Sequence, residues 1–251
     1  MKKETIIHKL DPRAKLLLAI IYTICALIFP GKEPIIPPLL LIFLSLIPFI
    51  IAGKMVREWL RSIRGLSFLI LIIIILNTLF IEEKGFSFSL TMILRILIMI
   101  SSFSIFFLTV DPNDFALSLI SMKIPYEFAF SFSLAFRFIP TIANEAENIM
   151  DAQQSRGYEM KKSGMINQIK NLFPLLVPLI ICSIKRAFNV AEALESRAFG
   201  SKKERTYYFS INFSLKDWIF SLYLLLFLAI FIVIRIWINY MPDWFLWTLP
   251  V

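Results

Sequence analysis

The sequence predicts an all-α integral membrane protein, with about five transmembrane helices and a cytoplasmic domain of amphipathic helices. Of its 251 residues, 58% are hydrophobic and only 18% are charged, and the mean hydropathy is +0.76. Soluble domains carry fewer apolar and more charged residues. The apolar residues also cluster into long runs separated by short polar segments. Both observations exclude an ordinary soluble globular domain.

Five apolar runs approach the ~20 residues that a helical membrane span needs. They cover residues 16–30, 35–52, 66–81, 92–110 and 218–238. A sixth stretch, 172–184, is shorter, contains Pro174 and Pro178, and is followed at once by Lys185 and Arg186. We expect this stretch to be an interfacial or core helix rather than a full crossing.

The basic residues orient these spans. Cytoplasmic loops of membrane proteins are enriched in Lys and Arg. Cations concentrate before the first run and between the second and third runs: Lys2, Lys3, Lys9, Arg13, Lys15, Lys54, Arg57, Arg61 and Arg64. We therefore expect a cytoplasmic N-terminus and contact between these cations and the lipid bilayer. The sequence lacks the interleaved basic and aromatic face that would indicate a nucleic-acid partner.

This topology divides the chain into three parts. Residues 1–110 are expected to form a membrane domain of four spans, residues 111–215 a cytoplasmic domain, and residues 216–251 the last span with an outer tail. The two cysteines, Cys25 and Cys182, lie in apolar segments, and the single histidine, His8, lies in a polar one. These residues support neither a disulfide framework nor a metal site.

Two segments of the 111–215 region end in nearly the same signature. Ala152 precedes Ser155-Arg156-Gly157, and 41 positions later Ala193 precedes Ser196-Arg197-Ala198. Before each signature, apolar residues recur at helical spacing opposite polar ones, which predicts two amphipathic helices. We expect the first to run from about residue 142, with Pro140 near its beginning and Gly157 at its end. The second should end before Gly200.

The two signature arginines have a structural and a functional interpretation. A cation near a helix C-terminus is favoured by the helix dipole, by ~0.3–1 kcal/mol. That effect needs no particular neighbours, whereas here Arg156 and Arg197 share a matched Ala-x-x-Ser-Arg context. Small neighbours let a helix end approach another surface while the guanidinium reaches carboxylates or backbone carbonyls. The duplication therefore favours partner contact.

The N-terminal motif Leu10-Asp-Pro-Arg-Ala-Lys-Leu16 is typical of a helix start. Asp11 can accept a capping hydrogen bond, and Pro12 suits the first helical position. Arg13 and Lys15 are then expected to anchor the topology at the lipid headgroups. We expect Arg95 and Arg235, near the outer ends of their spans, to reach the interface in the same way.

Three motifs together resemble the transmembrane T component of energy-coupling factor transporters. They are the 134–157 segment LAFRFIPTIANEAENIMDAQQSRG, the tripeptide 196–198 and the N-terminal motif 10–16, in an order that spans nearly the whole chain. The resemblance implies that two long coupling helices cross in the cytoplasm and dock into two ATP-binding-cassette ATPases. Two mild departures are Ser155 and Ser196, where the family often has Ala, and Ala198, where it often has Gly.

By this resemblance, the ATPase-coupling residues are those of the two tripeptides: Ser155, Arg156, Gly157, Ser196, Arg197 and Ala198. The partners are two ATPases, identical or different, and a membrane-embedded, substrate-binding S component that imports a vitamin or a transition-metal ion. The chain is expected to lie in a prokaryotic plasma membrane and to be no enzyme. Its sequence contains no phosphate-binding Gly-x-x-x-x-Gly-Lys-Ser/Thr, so ATP and Mg²⁺ are expected on the ATPases and no cofactor on this chain.

Two other function classes are weighed against this one. An integral membrane enzyme acting on a lipid-linked substrate could use Arg137, Glu145, Asp151 and Arg156, but helical spacing scatters these residues around a helix. A secondary transporter or channel is weakened because ionisable residues are scarce in mid-span and because the spans show no evident inverted repeat.

Overall fold

In the computed structural model, every regular element of the described residues is a helix, which confirms the all-α class. The structure describes residues 5, 7–29, 36–81, 85–122, 124–157, 165–201 and 213–237. The nine helices of these residues are α1 (Pro12–Ile28), α2 (Ile36–Ala52), α3 (Val56–Gly65), α4 (Ser67–Phe80), α5 (Gly85–Thr109), α6 (Pro112–Ser121), α7 (Tyr126–Ser155), α8 (Met165–Glu195) and α9 (Leu215–Trp237).

The chain forms two compact units. The first, the membrane unit, comprises residues 1–121 and 211–251, and the second, the helix-pair unit, comprises residues 122–210. Helix α6 belongs to the membrane unit because it packs against α1. The sequence places the corresponding boundary after residue 110, where the fourth apolar run ends. The predicted boundary marks the end of a membrane span, whereas the boundary after residue 121 separates two compact units. The three-part division therefore stays a prediction.

Helix α1 lies at the centre of the membrane unit, in contact with α2, α5, α6 and α9. Its small residues let neighbouring helices approach, and Cys25 is fully buried among them. The ring of Tyr22 stacks on Phe227 with centroids 5.0 Å apart. The Tyr22 hydroxyl lies 3.0 Å from Ser45 Oγ, which satisfies a polar group inside an apolar core.

Several helices are long and apolar enough to span a bilayer. Among the described residues these are α5, the 173–195 part of α8 and α9, and the α3–α4 pair meets the same test as one span bent by 47°. Helix α2 is apolar but has 17 residues. The sequence suggests that the stretch 172–184 is a short helix of its own. In the structure it is instead part of α8, which continues through both prolines to Glu195.

Helix α3 contains three of the four cations that the sequence places between the second and third apolar runs. Arg57, Arg61 and Arg64 are exposed and recur at helical spacing. The opposite side holds Trp59, whose indole Nε1 donates a hydrogen bond to Ser101 Oγ at 2.8 Å. An amphipathic helix that bends sharply into an apolar one is typical of the membrane interface.

Two local predictions near α1 have different outcomes. The side chain of Asp11 accepts from the backbone N–H of Arg13 at 2.9 Å, and Pro12 begins the helix, as the motif predicts. The prediction that Arg95 reaches the interface stays a prediction, since Arg95 is half-buried. Its Nη2 donates to the backbone oxygen of Phe29 at 2.8 Å, and Phe29 is the C-cap residue that follows α1. A cation at this position complements the helix dipole.

The helix-pair unit consists of α7 and α8, which are longer than the sequence predicts. Helix α7 has 30 residues and begins after Pro125, so Pro140 lies in its interior and not near its beginning. Proline removes one backbone hydrogen bond of a helix but does not always end it. Helix α8 has 31 residues and likewise contains Pro174 and Pro178.

Candidate partner-binding site

Helices α7 and α8 run antiparallel along each other. Contacts at three levels join them: the rings of Phe130 and Phe199 with centroids 4.8 Å apart, Glu145 with Arg186, and Gln153 Nε2 donating to the backbone oxygen of Pro174 at 3.3 Å. As the residue number rises along α7, the number of its partner falls along α8. The C-terminal ends of the two helices therefore lie at opposite ends of the pair.

An ion pair fixes the middle of this arrangement. Arg186 Nη2 donates to Glu145 Oε2 at 2.5 Å, and the guanidinium carbon of Arg186 lies 5.8 Å from the centroid of the Phe138 ring. The hydrogen bond from Arg186 lowers the pKa of Glu145. Because solvent reaches both side chains, the pair adds little stability and acts chiefly on the register of the two helices.

The ion pair joins equivalent positions of the duplicated segments. Glu145 lies eleven residues before Arg156, and Arg186 lies eleven residues before Arg197. Between each member of the pair and its arginine, the two segments share further identical residues: Ala146 with Ala187, Asn148 with Asn189, Ala152 with Ala193 and Ser155 with Ser196. The sequence reasoning missed the ion pair, although extending the 41-residue offset upstream of Ala152 brings Glu145 and Arg186 into register.

The antiparallel packing separates the two signatures widely. Each eleven-residue arm spans ~16 Å at ~1.5 Å per residue, and the arms point in opposite directions from the ion pair. Neither arm contains proline. Arg156 and Arg197 are therefore ~33 Å apart along the pair, at two distinct sites.

The first signature ends α7. Ser155 is the last helical residue, and the backbone N–H groups of Arg156 and Gly157 donate to Gln153 and Gln154 at 3.1 and 2.9 Å. Gly157 has φ +84°, the left-handed conformation that glycine adopts without steric cost. Gly157 thus stops the helix as the sequence predicts.

The second signature repeats this geometry with alanine in place of glycine. Ala198 has φ +54° at the position equivalent to Gly157, and its N–H donates to the oxygen of Glu195 at 2.8 Å. The left-handed conformation is costly for a residue with a Cβ. The ring of the next residue, Phe199, packs against Phe130 and Tyr126, which holds the turn in place.

All six tripeptide residues that the sequence singles out are exposed. Over the described parts of α7, α8 and their ends, neither Arg156 nor Arg197 forms an ion pair with a carboxylate. Each guanidinium can therefore donate its hydrogen bonds to a partner's carboxylates or backbone carbonyls. The structure places the tripeptides in two groups of three and does not bring the groups together.

The residues considered for an enzyme do not converge. Arg137 and Arg156 are nineteen positions apart on one helix, which corresponds to ~28 Å. Glu145 is engaged by Arg186, and Asp151 is exposed. Among the described residues, no group of three or more His, Cys, Asp or Glu side chains is placed to hold a metal ion. A single pocket with acid and base residues is not favoured here.

Comparisons with known proteins cover both units. Residues 3–208 match the family model of CbiQ, the cobalt transport protein. The chain is 30% identical to the energy-coupling factor transporter transmembrane protein EcfT of Clostridium kluyveri, over 93% of this chain and 94% of that protein. It is 31% identical to EcfT of Streptococcus equi subsp. equi, over 91% of each chain, and 30% identical to EcfT of Lactococcus lactis subsp. cremoris, over 85% of this chain and 88% of that one.

Proposed function

The chain belongs to the CbiQ cobalt transport protein family and is the transmembrane component of an energy-coupling factor transporter; on this premise we propose that α7 and α8 transmit the movement of two cytoplasmic ATPases to a substrate-binding membrane subunit. One observation carries the proposal. Two exposed helix ends with matched arginines point in opposite directions from a central ion pair.

Each helix end suits one ATPase. The small residues on either side of each arginine, Ser155 and Gly157 or Ser196 and Ala198, allow the helix end to enter a groove. The guanidinium then donates to carboxylates or carbonyls that line the groove. A separation of ~33 Å allows two subunits to bind at once, so that their approach or withdrawal moves both arms.

The chemistry of ATP belongs to the partners in this proposal. The sequence lacks a phosphate-binding loop, and a protonated guanidinium supplies no catalytic base. ATP and Mg²⁺ are held by the ATPases, and the chain is a non-catalytic subunit that converts their closure into motion within the membrane.

The outer apolar face of α8 suits the substrate-binding subunit. Large apolar side chains recur every three or four residues along α8 and are exposed: Phe173, Val177, Ile180, Ile184 and Phe188. A stripe at this spacing lies on one side of a helix and packs well against another apolar helix. The cargo is a vitamin or a transition-metal ion. The complex lies in a prokaryotic plasma membrane, with the N-terminus and residues 111–215 on the cytoplasmic side.

Affinity purification of the tagged chain from gently solubilised membranes tests the proposal. The native chain should bring down ABC-type ATPases and a small membrane protein, whereas the variant R156E/R197E should lose the ATPases and keep the membrane protein. Arg137→Glu is the matched control, because Arg137 is an exposed arginine of α7 outside the signatures. Retention of ATPases and of uptake by R156E/R197E would overturn the assigned role.

A further inference from the structure

A buried lysine lies at one end of the membrane unit, where the N-terminal ends of α1 and α9 meet the C-terminal end of α5. Lys15 is only 2% exposed. Its Nζ donates to the backbone oxygens of His8 at 3.0 Å and of Thr109 at 3.2 Å. The expectation that Lys15 anchors the topology at the lipid headgroups is therefore wrong, because the amine is engaged inside the protein.

A buried carboxylate joins the same region to α9. The backbone N–H of Asp11 donates to Asp217 Oδ1 at 2.9 Å, across 206 positions of sequence. Asp217 Oδ2 accepts from the backbone N–H of Ser214 at 2.9 Å and from Ser214 Oγ at 2.6 Å. Ser214 and Asp217 thus form a capping box, and one carboxylate both caps α9 and holds the start of α1.

Acidic residues surround the lysine. Burial lowers the pKa of the Lys15 amine, and Asp114 of α6, together with Asp11 and Asp217, partly offsets this effect. All four side chains line a cavity of about 270 Å³, which Thr109, Asp111 and Ser214 also border. We name the set Asp11, Lys15, Thr109, Asp114, Ser214 and Asp217 the polar junction.

The polar junction lies close in sequence to both boundaries between the membrane unit and the helix-pair unit. The outgoing chain passes Thr109 and Asp114 before it leaves the membrane unit after residue 121. The membrane unit resumes at residue 211, and Ser214 and Asp217 follow shortly after in sequence. The N-terminal segment bonds to both, through Lys15 on the outgoing side and Asp11 on the returning side.

We propose that the polar junction is a positioning site that fixes both connections of the helix-pair unit to the membrane helices, so that movement of the arms reaches the membrane rather than being absorbed where the unit is attached. The inference rests on the proposed coupling function. A buried, hydrogen-bonded charge suits this role because it cannot shift without leaving polar groups unpaired. Asp11, Lys15 and Asp217 are positioning residues here, since they touch neither ATP nor cargo.

The test uses the complete transporter in proteoliposomes and measures the number of ATP molecules hydrolysed per substrate molecule imported. Lys15→Met and Asp217→Ala should raise this ratio fivefold or more, with hydrolysis within twofold of the native complex. Asp217→Asn keeps an oxygen that can accept from Asp11 and should restore most of the coupling. Lys216→Ala, an exposed neighbour of Asp217, is the control and should leave the ratio unchanged.

The ratio of ATP hydrolysed to substrate imported distinguishes a positioning defect from a folding defect, because loss of folded protein lowers hydrolysis and import together. An unchanged ratio in Asp217→Ala, with ATPases still attached, would overturn the positioning role. If the Lys15→Met transporter fails to assemble, the comparison of Asp217→Ala with Asp217→Asn still tests the positioning role. Equal ratios of ATP hydrolysed to substrate imported in those two variants would overturn it. Failure of the proposed function itself is recognised separately, by ATPases that remain bound to R156E/R197E.

Discussion

Arg186 occupies in α8 the place that Glu145 occupies in α7, and the two side chains meet at 2.5 Å. Each stands eleven residues before its signature arginine. An antiparallel pair that touches at equivalent positions has approximate two-fold symmetry about the contact. Equal arms follow directly, so two similar partners can engage Arg156 and Arg197 in the same way.

Exchanging the charges of this ion pair should preserve its function. Glu145→Arg alone places two guanidinium groups together and should weaken ATPase association about threefold or more, because contacting residues are coupled. Combining it with Arg186→Glu should recover native association, since attraction is restored in the opposite sense. Titrating purified ATPases onto the solubilised chain measures both effects. Equal losses in the single and double variants would show that the pair does not set the arms.

The left-handed residues of the two signatures, Gly157 and Ala198, should differ in their response to substitution. Gly157→Val introduces a branched Cβ at φ +84° and should destabilise the α7 end by about 1–2 kcal/mol. Ala198→Gly relieves a strained alanine at φ +54°, but glycine gains entropy in the unfolded chain, so the net change should be within about 1 kcal/mol. Hydrogen exchange of the amides at 155–157 and 196–198 measures each end separately. Faster exchange in Ala198→Gly comparable to that in Gly157→Val would contradict the assignment.

The sequence predicts the helix ends well because their signals are local. Asp11 and Pro12 begin α1, and Gly157 follows the end of α7, as their positions in the sequence indicate. The beginning of α7 is predicted wrongly because Pro140 is normally a boundary signal. The helix instead begins at Tyr126, and Phe130, one turn into it, packs against Phe199, a contact that no local pattern indicates.

Lys15 shows why the sequence does not predict the polar junction. Its acceptor Thr109 is 94 positions away, and the Asp11–Asp217 bond spans 206 positions. A lysine before an apolar run is typical of a headgroup anchor, and only the packing of α1 against α5 and α6 places its amine inside. The exposed tripeptides depend on one helix end each, which explains why the sequence could single them out.

Gly85 should tolerate no side chain. A Cβ at this position would lie 2.7 Å from the backbone oxygen of Asn77, because α5 approaches α4 closely there. Backbone atoms cannot move aside as a flexible side chain can, so Gly85→Ala should lower the free energy of unfolding by about 1–3 kcal/mol. Gly65→Ala is the matched control, since nothing lies within 4 Å of its Cβ position. Thermal unfolding in detergent compares the two, and equal midpoints would refute the close approach.

The stability of the membrane unit should rise in mildly alkaline solution because of Lys15. Burial lowers the pKa of this amine from 10.5 to about 8, although Asp114, Asp11 and Asp217 act in the opposite direction. Between these two values the unfolded chain binds a proton that the folded chain does not, so the free energy of unfolding increases with pH in that window.

From pH 8 to 9.5 this increase should reach about 2 kcal/mol, at ~1.4 kcal/mol per pH unit. Thermal unfolding of the native chain and of Lys15→Met at both pH values isolates the contribution of Lys15, because the other titrating groups are common to both. The native chain should gain stability relative to the variant as pH rises. An equal response in the two proteins would mean that the Lys15 amine is hydrated rather than held by His8 and Thr109.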